Sequence, residues 1–313
     1  MKNQYYYLAL SLFSLLMMGC SNDSAMDTPE STRMVPVGIR QVSVSGSAAI
    51  TRASTTITDG QIGVFRTTAN GYPAQNNVPY SYDAASGGWS ATTTDNAILV
   101  DHRNATLLAY YPYQADADGS KVTLTSQVYA ANQDLCYGTS TGTINNATPN
   151  AGVFTDMAHT YSRITLSIQR HATSYFTGVC AITNLHLKSG SSFFATRTLD
   201  ISNNAYGGST TDIGWSYNPN ITSLAAGTST DCDVLVPPQP VASGLTITLT
   251  IDGLNRAVTI PAAQFTSNAL AAGQQYTIKL TIMDTAVIFD GNVAITDYTT
   301  DGTTIKNDTP KEV

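Results

Sequence analysis

Charged side chains are scarce in this sequence. They make up 12% of its 313 residues, and the 22 acidic residues outnumber the 15 basic ones. A net charge of -7 excludes the broad basic surface that nucleic acid requires, so we predict no nucleic-acid partner. No apolar run reaches the length of a good membrane span, and no long stretch repeats apolar residues every 3.6 positions. The sequence therefore does not favour a helical protein.

Cysteine is also rare, and its spacing offers no metal-binding motif. The four cysteines contain no C-x-x-C pair, and the four histidines lack the H-E-x-x-H spacing of a zinc site. We therefore predict no metal and no cofactor. An exported chain can form one disulfide, and Cys180 with Cys232 is the pairing we favour. Buried free thiols are the alternative.

The sequence contains a catalytic motif but lacks the secondary structure that the motif requires. Gly138-Thr139-Ser140-Thr141-Gly142 matches the G-x-S-x-G pattern of hydrolases, which needs a helix directly after it. The residues that follow, with two asparagines and Pro149, are poor helix formers, so we interpret the motif as a surface loop. We predict no catalytic residues and no enzymatic activity.

The residues that are abundant favour strands and turns. The sequence has 17 tyrosines and 23 glycines, and many of its valines, isoleucines and threonines alternate with polar residues. Leu245–Ile251, the Asp252-Gly253 turn and the returning Val258–Ile260 predict a hairpin. Tyr276–Ile282 predicts a further strand, and Tyr80–Trp89 another hairpin. We predict an all-β protein built from antiparallel sandwiches.

The N-terminus has the features of a lipoprotein signal. Lys2 precedes the apolar run Leu8–Met18, and Leu15–Cys20 resembles a bacterial lipobox, in which Met17 replaces the usual Leu. This pattern predicts a signal peptide over residues 1–19 and lipid on Cys20. An ordinary signal peptide with an incidental cysteine is the alternative. Residues 20–52 then form a tether and an N-terminal strand.

That strand is the feature on which our functional hypothesis depends. In Gln41–Arg52, Val42, Val44, Gly46, Ala48 and Ile50 alternate with mostly polar residues, which predicts a half-buried strand. Arg52 is a candidate site for a trypsin-like protease, with Arg33 and Arg40 as rival sites. Removal of the strand would leave an apolar groove with unpaired backbone groups, which could accept a strand from another chain.

Aromatic residues suggest a second hypothesis, a sugar-stacking platform. Packing in the core of a sandwich is the alternative for the same residues. The candidates are Tyr72, Tyr80, Tyr82 and Trp89, or Trp215 and Tyr217.

Several stretches together resemble the fimbrillin family of Bacteroidota, the subunits of type V pili. Their order covers nearly the whole chain. The matching stretches are the lipobox with Ser21-Asn22-Asp23, Ile50-Thr51-Arg52-Ala53, Gln61–Phe65, Tyr80–Asp83 with Trp89, Leu108–Tyr113, Asp134–Gly138, His159 with Ile164–Leu166, and Val234–Pro237.

The resemblance implies two tandem transthyretin-like antiparallel β-sandwich domains, over residues 53–160 and 161–313. It implies export as a lipoprotein, display on the outer membrane and cleavage after Arg52 by an Arg-specific protease. Val42, Val44, Ala48 and Ile50 would leave the groove with the removed strand, and a strand from a neighbouring subunit would replace them. Cys20 would carry the lipid, including palmitate, on the precursor.

We therefore expect a stalk or tip/accessory subunit of a surface pilus that supports adhesion. Its expected partners are other pilus subunits, an Arg-specific protease, the outer membrane through the lipid, and a host or bacterial surface ligand. Asp297–Val313 alternates poorly for a donor strand, so either Phe289–Ile295 donates or the subunit accepts without donating. An anchor subunit ranks third. A monomeric glycan-binding surface lipoprotein is the alternative function.

Overall fold

The computed structural model describes residues 30–45, 55–173, 178–298 and a short strand at 304–305. Within these residues the chain is all-β, as predicted, with strands, short 3₁₀ turns and no α-helix. None of the described residues forms a helix long and apolar enough to cross a bilayer. The 3₁₀ turns are Glu30–Thr32, Ala69–Gly71, Thr94–Asn96, Ala131–Gln133, Ala262–Gln264 and Thr266–Asn268.

The first half of the chain forms a sheet that closes on itself. Its segments are β1 (Val35–Pro36), β2 (Ile39–Val44), β3 (Thr55–Ile57), β4 (Gln61–Arg66), β5 (Gln75–Asp83), β6 (Gly88–Ala91), β7 (Leu99–Val100), β8 (Leu107–Tyr111), β9 (Lys121–Thr125), β10 (Gln127–Val128), β11 (Cys136–Thr139) and β12 (Gly152–His159). The strand order is β12-β11-β8-β4-β5-β6-β2, and β2 then pairs with β12. This closed sheet encloses a core that includes Val64, Tyr80 and Trp89.

The second half forms two sheets that share one core. Its segments are β13 (Ser162–Arg170), β14 (Ile182–Lys188), β15 (Phe193–Asp200), β16 (Ala205–Asp212), β17 (Trp215–Tyr217), β18 (Ser229–Val236), β19 (Gln239–Pro240), β20 (Leu245–Ile251), β21 (Leu254–Ile260), β22 (Ala269–Leu270), β23 (Gln274–Ile282), β24 (Val287–Phe289), β25 (Ala294–Asp297) and β26 (Thr304–Ile305). One sheet has the order β10-β18-β13-β23-β24, with β25 also on β23, and the other β17-β14-β20-β21. Alternating residues such as Leu166, Leu249 and Ile278 fill the shared core.

Strands from both halves meet at a junction. β9 pairs with β15, and β10 pairs with β18, so the segment 121–128 lies against strands of the second half. A separate apolar cluster fills this junction, with Tyr110 and Leu124 from the first half and Tyr161, Leu235 and Tyr298 from the second.

Local sequence signals located the hairpins correctly. Asp252-Gly253 joins β20 to β21, and β5 pairs with β6 from Tyr80 to Asp83. Three pairings are parallel, which departs from the expected antiparallel arrangement: β2 with β12, β13 with β23, and the short pair of β26 with β3. Parallel strands need a long connection, so no turn residues in the sequence indicate which strands will pair in this way.

The expected bridge between Cys180 and Cys232 does not form. Both are free and buried, as is Cys136. Cys180 lies two residues before β14, whereas Cys232 lies on β18 of the other sheet, where the Tyr217 hydroxyl is its hydrogen-bond partner. Both are therefore buried free thiols, the alternative that the sequence left open.

Candidate functional site

Strand β2 closes the sheet of the first half, and its apolar side chains point into the core. Ile39, Val42 and Val44 are all at most 1% exposed. The strand covers Ile39–Val44, so it starts earlier than the predicted Gln41. Ser43, expected on the polar face, is also fully buried. Ala48 and Ile50 lie outside the described residues, and their place in this strand stays a prediction.

One edge of β2 is held by a parallel ladder with β12. Ile39 lies opposite Gly152 and Val42 lies opposite Phe154. The register shifts twice along this short ladder, and Asp156 takes a left-handed backbone (φ 57°) at the second shift. Ser45 extends the contact, since its backbone NH donates to Met157 O at 3.0 Å. Irregularities of this kind interrupt a ladder and bend its strand.

The other edge of β2 has two different neighbours. Ile39 pairs with Trp89 of β6, and Ser43 and Val44 pair with β3. β6 approaches very closely, because a Cβ on Gly88 would lie 3.2 Å from Ile39 O. Beside this contact a cavity of about 350 Å³ opens between the strands, lined by Arg40, Trp89 and Asn150 among others. The contact between β2 and β6 is therefore short and has a cavity beside it.

The segment before β2 is also docked on the first half. β1 pairs with β7, with Val35 opposite Val100. The backbone NH of Val37 donates to Ile98 O at 2.8 Å, and the buried Tyr80 hydroxyl donates to Val37 O at 3.2 Å. Burial raises the pKa of Tyr80 to about 12. Residues 35–45 are thus a continuous part of the folded chain.

The structure separates the three candidate cleavage sites. Arg33 is exposed but precedes β1, so a cut there leaves β2 attached. Arg40 is exposed but lies within the paired strand β2, where a protease cannot bind its backbone. Arg52 lies outside the described residues, in the connection 46–54 that joins β2 to its hairpin partner β3. Cys20, the predicted lipidation site, also lies outside them.

A polar cluster at the junction of the two halves was missed by sequence analysis. Cys136 of β11 lies opposite His159 of β12, and Asp134 is two residues before Cys136 on the same face. His159 Nδ1 is 2.5 Å from Asp134 Oδ2 and 3.3 Å from Cys136 Sγ. The ring of Tyr298 covers His159 at a centroid distance of 4.3 Å. Burial, and then the charge of Asp134, raise the pKa of the Cys136 thiol well above its usual range.

Three of the six residues of the proposed sugar platform are buried. Tyr72, Tyr80 and Trp89 are at most 3% exposed and belong to the core, which corrects that part of the hypothesis. Tyr82 is partly exposed and packs edge-on against Trp89. The half-buried Trp215 stacks on Tyr217 at 5.2 Å, so these rings already contact each other.

The G-x-S-x-G stretch has the surroundings of a strand end. Gly138 and Thr139 complete β11, and the Ser140 Oγ accepts a hydrogen bond from the backbone NH of Leu107 at 3.1 Å. Turns and bends, and no helix, connect it to β12 in this fully described segment. The arrangement lacks the strand-to-helix turn that exposes a nucleophile.

These features define an all-β protein whose first sheet is completed by an N-terminal strand. Two crystal structures have the same fold. One is a candidate cell adhesion protein from Bacteroides ovatus ATCC 8483, at 16% identity and a TM-score of 0.59, covering 85% of this chain and 98% of that one. The other is a candidate cell adhesion protein from Bacteroides uniformis ATCC 8492, at 18% identity and a TM-score of 0.58, covering 84% and 97%. Among curated proteins, none matches the sequence.

The sequence profile of the fimbrillin-like family matches residues 51–298, and the chain belongs to this family. The match confirms the resemblance seen in the sequence. It begins after β2 and ends at Tyr298, so β2 and the tail lie outside the matched region.

Proposed function

We propose that this chain is a structural subunit of a surface pilus that assembles by strand exchange after β2 has been removed. The precursor is exported as a lipoprotein through Cys20, displayed at the outer membrane and cut after Arg52. The observation that carries the proposal is that β2 closes a sheet and fills its core, yet is connected to the rest of that sheet through residues 46–54. The fimbrillin-like family and the adhesion-type fold support a cell-surface role.

The energies involved make a cut subunit strongly receptive to a new strand. Full burial of a Val or Ile side chain contributes roughly 1.5–3 kcal/mol, and three such side chains lie on β2. Each ladder hydrogen bond adds about 1 kcal/mol net. Their sum is comparable to the whole stability of a typical domain, which is about 5–15 kcal/mol. A strand that fits the open groove would therefore stabilise the cut subunit strongly.

The geometry specifies what fits. A donor that copies β2 must run parallel to β12 and place small or β-branched apolar side chains where Ile39, Val42 and Val44 lie. It must also follow the two register shifts. Before cleavage the attached strand competes from a high effective concentration, so a free donor cannot displace it.

We also propose the division into two domains, residues 53–160 and 161–313, of transthyretin-like type. Separate cores in the two halves support it. The segment 121–128 crosses this division, because β9 and β10 pair with strands of the second half.

The position in the pilus depends on the donor strand. Phe289 and Ile295 both pair with β23, so this stretch completes the subunit's own sheet and would have to detach in order to donate. A tip or accessory subunit needs no donor, whereas a stalk subunit does. Both positions agree with the structure.

The test is limited digestion of the exported chain with an Arg-specific protease, followed by intact mass and native electrophoresis. We expect a single cut after Arg52 and release of β2, and no release in Arg52→Lys. Arg33→Lys and Arg40→Lys are matched controls that should release the strand normally. A ladder of oligomers identifies a stalk subunit, and capture of added donor strands by cut monomers identifies a tip subunit.

A synthetic peptide of residues 37–47 provides the matching binding assay. The cut protein should bind it, while the uncut protein and a peptide carrying Val42→Asp and Val44→Asp should not bind. A folded chain that resists cleavage at Arg52, or a cut chain that keeps its strand and ignores the peptide, would contradict the proposal. Saccharide-dependent quenching of Trp215 fluorescence in an uncut monomer would favour the glycan-binding lipoprotein instead.

A further inference from the structure

The junction of the two halves contains three buried side chains of the types that bind transition metals. Asp134, Cys136 and His159 are each at most 6% exposed, and one ligand atom from each lies within 4.8 Å of the others. The thiol, imidazole and carboxylate come from neighbouring positions on β11, its preceding residues and β12. Thiolate and imidazole together favour Zn²⁺ among common divalent ions.

We propose that Asp134, Cys136 and His159 form a structural zinc site at this junction. The sequence predicted no metal, because the three residues match no spaced motif. The site is distinct from the β2 groove, and its test is independent of strand exchange.

The distances are close to those of a metal site. In a tetrahedral site with bonds of 2.0–2.3 Å, ligand atoms lie roughly 3.3–3.7 Å apart. Here Cys136 Sγ is 3.3 Å from His159 Nδ1 and 3.9 Å from Asp134 Oδ2. The Nδ1–Oδ2 distance of 2.5 Å must widen, since it is that of a hydrogen bond. A small rotation of the carboxylate accomplishes this.

A buried oxygen adds to the case for a bound cation. Asp134 Oδ1 is buried and has no hydrogen-bond partner, which is costly for a carboxylate oxygen. A cation bound by the Asp134 carboxylate would compensate this oxygen, and an exogenous ligand such as water would take the fourth position of the tetrahedron. The ring of Tyr298 covers His159, which shields the site from solvent.

The charges also balance. Zn²⁺ with one thiolate and one carboxylate is neutral, which suits a buried position. When the metal binds, the Cys136 proton leaves to solvent, and the proton shared by His159 Nδ1 and Asp134 Oδ2 moves to His159 Nε2, so that the imidazole stays neutral. The nearby cation, Arg163, is already paired with Asp233 at 2.8 Å and lies over Tyr129 and Tyr298.

Cobalt is the appropriate probe, because tetrahedral Co²⁺ bound to a thiolate has a characteristic charge-transfer band and visible absorption. The full exported chain is stripped with a chelator, unfolded in urea and refolded with one equivalent of Co²⁺, so that burial does not prevent loading. We expect both bands, their displacement by Zn²⁺ and a higher melting temperature with Zn²⁺ than without.

Cys136→Ser and His159→Gln should abolish the thiolate band and the Zn²⁺-dependent rise in melting temperature. Cys232→Ser, which removes another buried thiol, should leave both unchanged. Near-ultraviolet circular dichroism of each variant checks that it has folded. A refolded wild-type protein with no cobalt bands and no response to Zn²⁺ would overturn the proposal and leave a hydrogen-bonded polar cluster.

Discussion

Ile39 and Trp89 are opposite each other on β2 and β6, and in the described part of the chain this is the one ladder pair that joins these two strands. The sheet is therefore closed, but a single ladder pair closes it at this position. The cavity lined by Arg40, Trp89 and Asn150 lies beside this pair. Strand β2 therefore depends on its side chains and on β12 more than on β6.

The first prediction concerns these side chains. The double variant Val42→Ala/Val44→Ala should lower the free energy of unfolding by roughly 3–4 kcal/mol, because each change removes two buried carbons and leaves a cavity. Chemical denaturation measures the loss. Gln41→Ala, on the exposed side of the same strand, should change it by at most about 0.5 kcal/mol. Equal effects of the two variants would show that β2 is not part of the core.

The second prediction is a pH dependence that involves the segment before β2. Burial raises the pKa of Tyr80 to about 12, above the value near 10 of an unfolded tyrosine. Its stabilising contribution is therefore complete below pH 10 and is lost as the pH rises toward 12. Tyr80→Phe should remove roughly 2 kcal/mol of the alkaline loss of stability.

Denaturation of the wild type and of Tyr80→Phe at pH 8, 10 and 11.5 would measure this difference. Burial also raises the pKa of Tyr111 to about 12, so Tyr80→Phe should leave part of that loss in place. An unchanged profile in Tyr80→Phe would contradict the assignment.

The third prediction concerns the thiols. Cys136, Cys180 and Cys232 are free and buried. A protein that starts at residue 21, and so lacks Cys20, should therefore have three titratable thiols in denaturant, and reduction should not increase this number. In the native protein these three thiols should react slowly with a thiol-counting reagent such as an aromatic disulfide, because they are buried. A gain of two thiols on reduction would indicate a disulfide and contradict the structure.

The fourth prediction concerns Tyr298, which is 2% exposed and lies between the two halves. Tyr298→Ala should cost roughly 3–5 kcal/mol, as is typical of a large buried aromatic residue. Tyr298→Phe should be neutral or slightly stabilising in metal-free protein, because the hydroxyl is buried without a hydrogen-bond partner. Thermal denaturation of the pair separates the ring from its hydroxyl. A large loss in Tyr298→Phe would show that the hydroxyl is bonded.

Local patterns predicted local structure well. The alternation in Leu245–Ile251 with its Asp-Gly turn, and that in Tyr276–Ile282, correspond to β20, β21 and β23. Alternation also placed Val42 and Val44 inside the protein. These signals depend on the two-residue period of a strand and on turn chemistry, both of which act within a few residues.

The remaining features depend on distant partners. Nothing near Ile39 in the sequence indicates that Gly152 is its neighbour. Similarly, Asp134 and Cys136 acquire His159 only through the pairing of β11 with β12. The buried position of Ser43 has the same origin, since the alternation of its own strand predicts an exposed face.

The parallel pairing of β2 also fixes an order of events. The strand is synthesised early, but its partner β12 follows more than a hundred residues later. Contacts between residues so far apart form late in folding, because the intervening chain must first be brought together. The strand that emerges first therefore completes its ladder with β12 late, although its partner β3 is nearby in the sequence. If the chain is processed as proposed, a protease that acts on the completed fold cuts a chain whose groove is already formed around β2, whereas one that acts earlier would remove the strand before any groove exists.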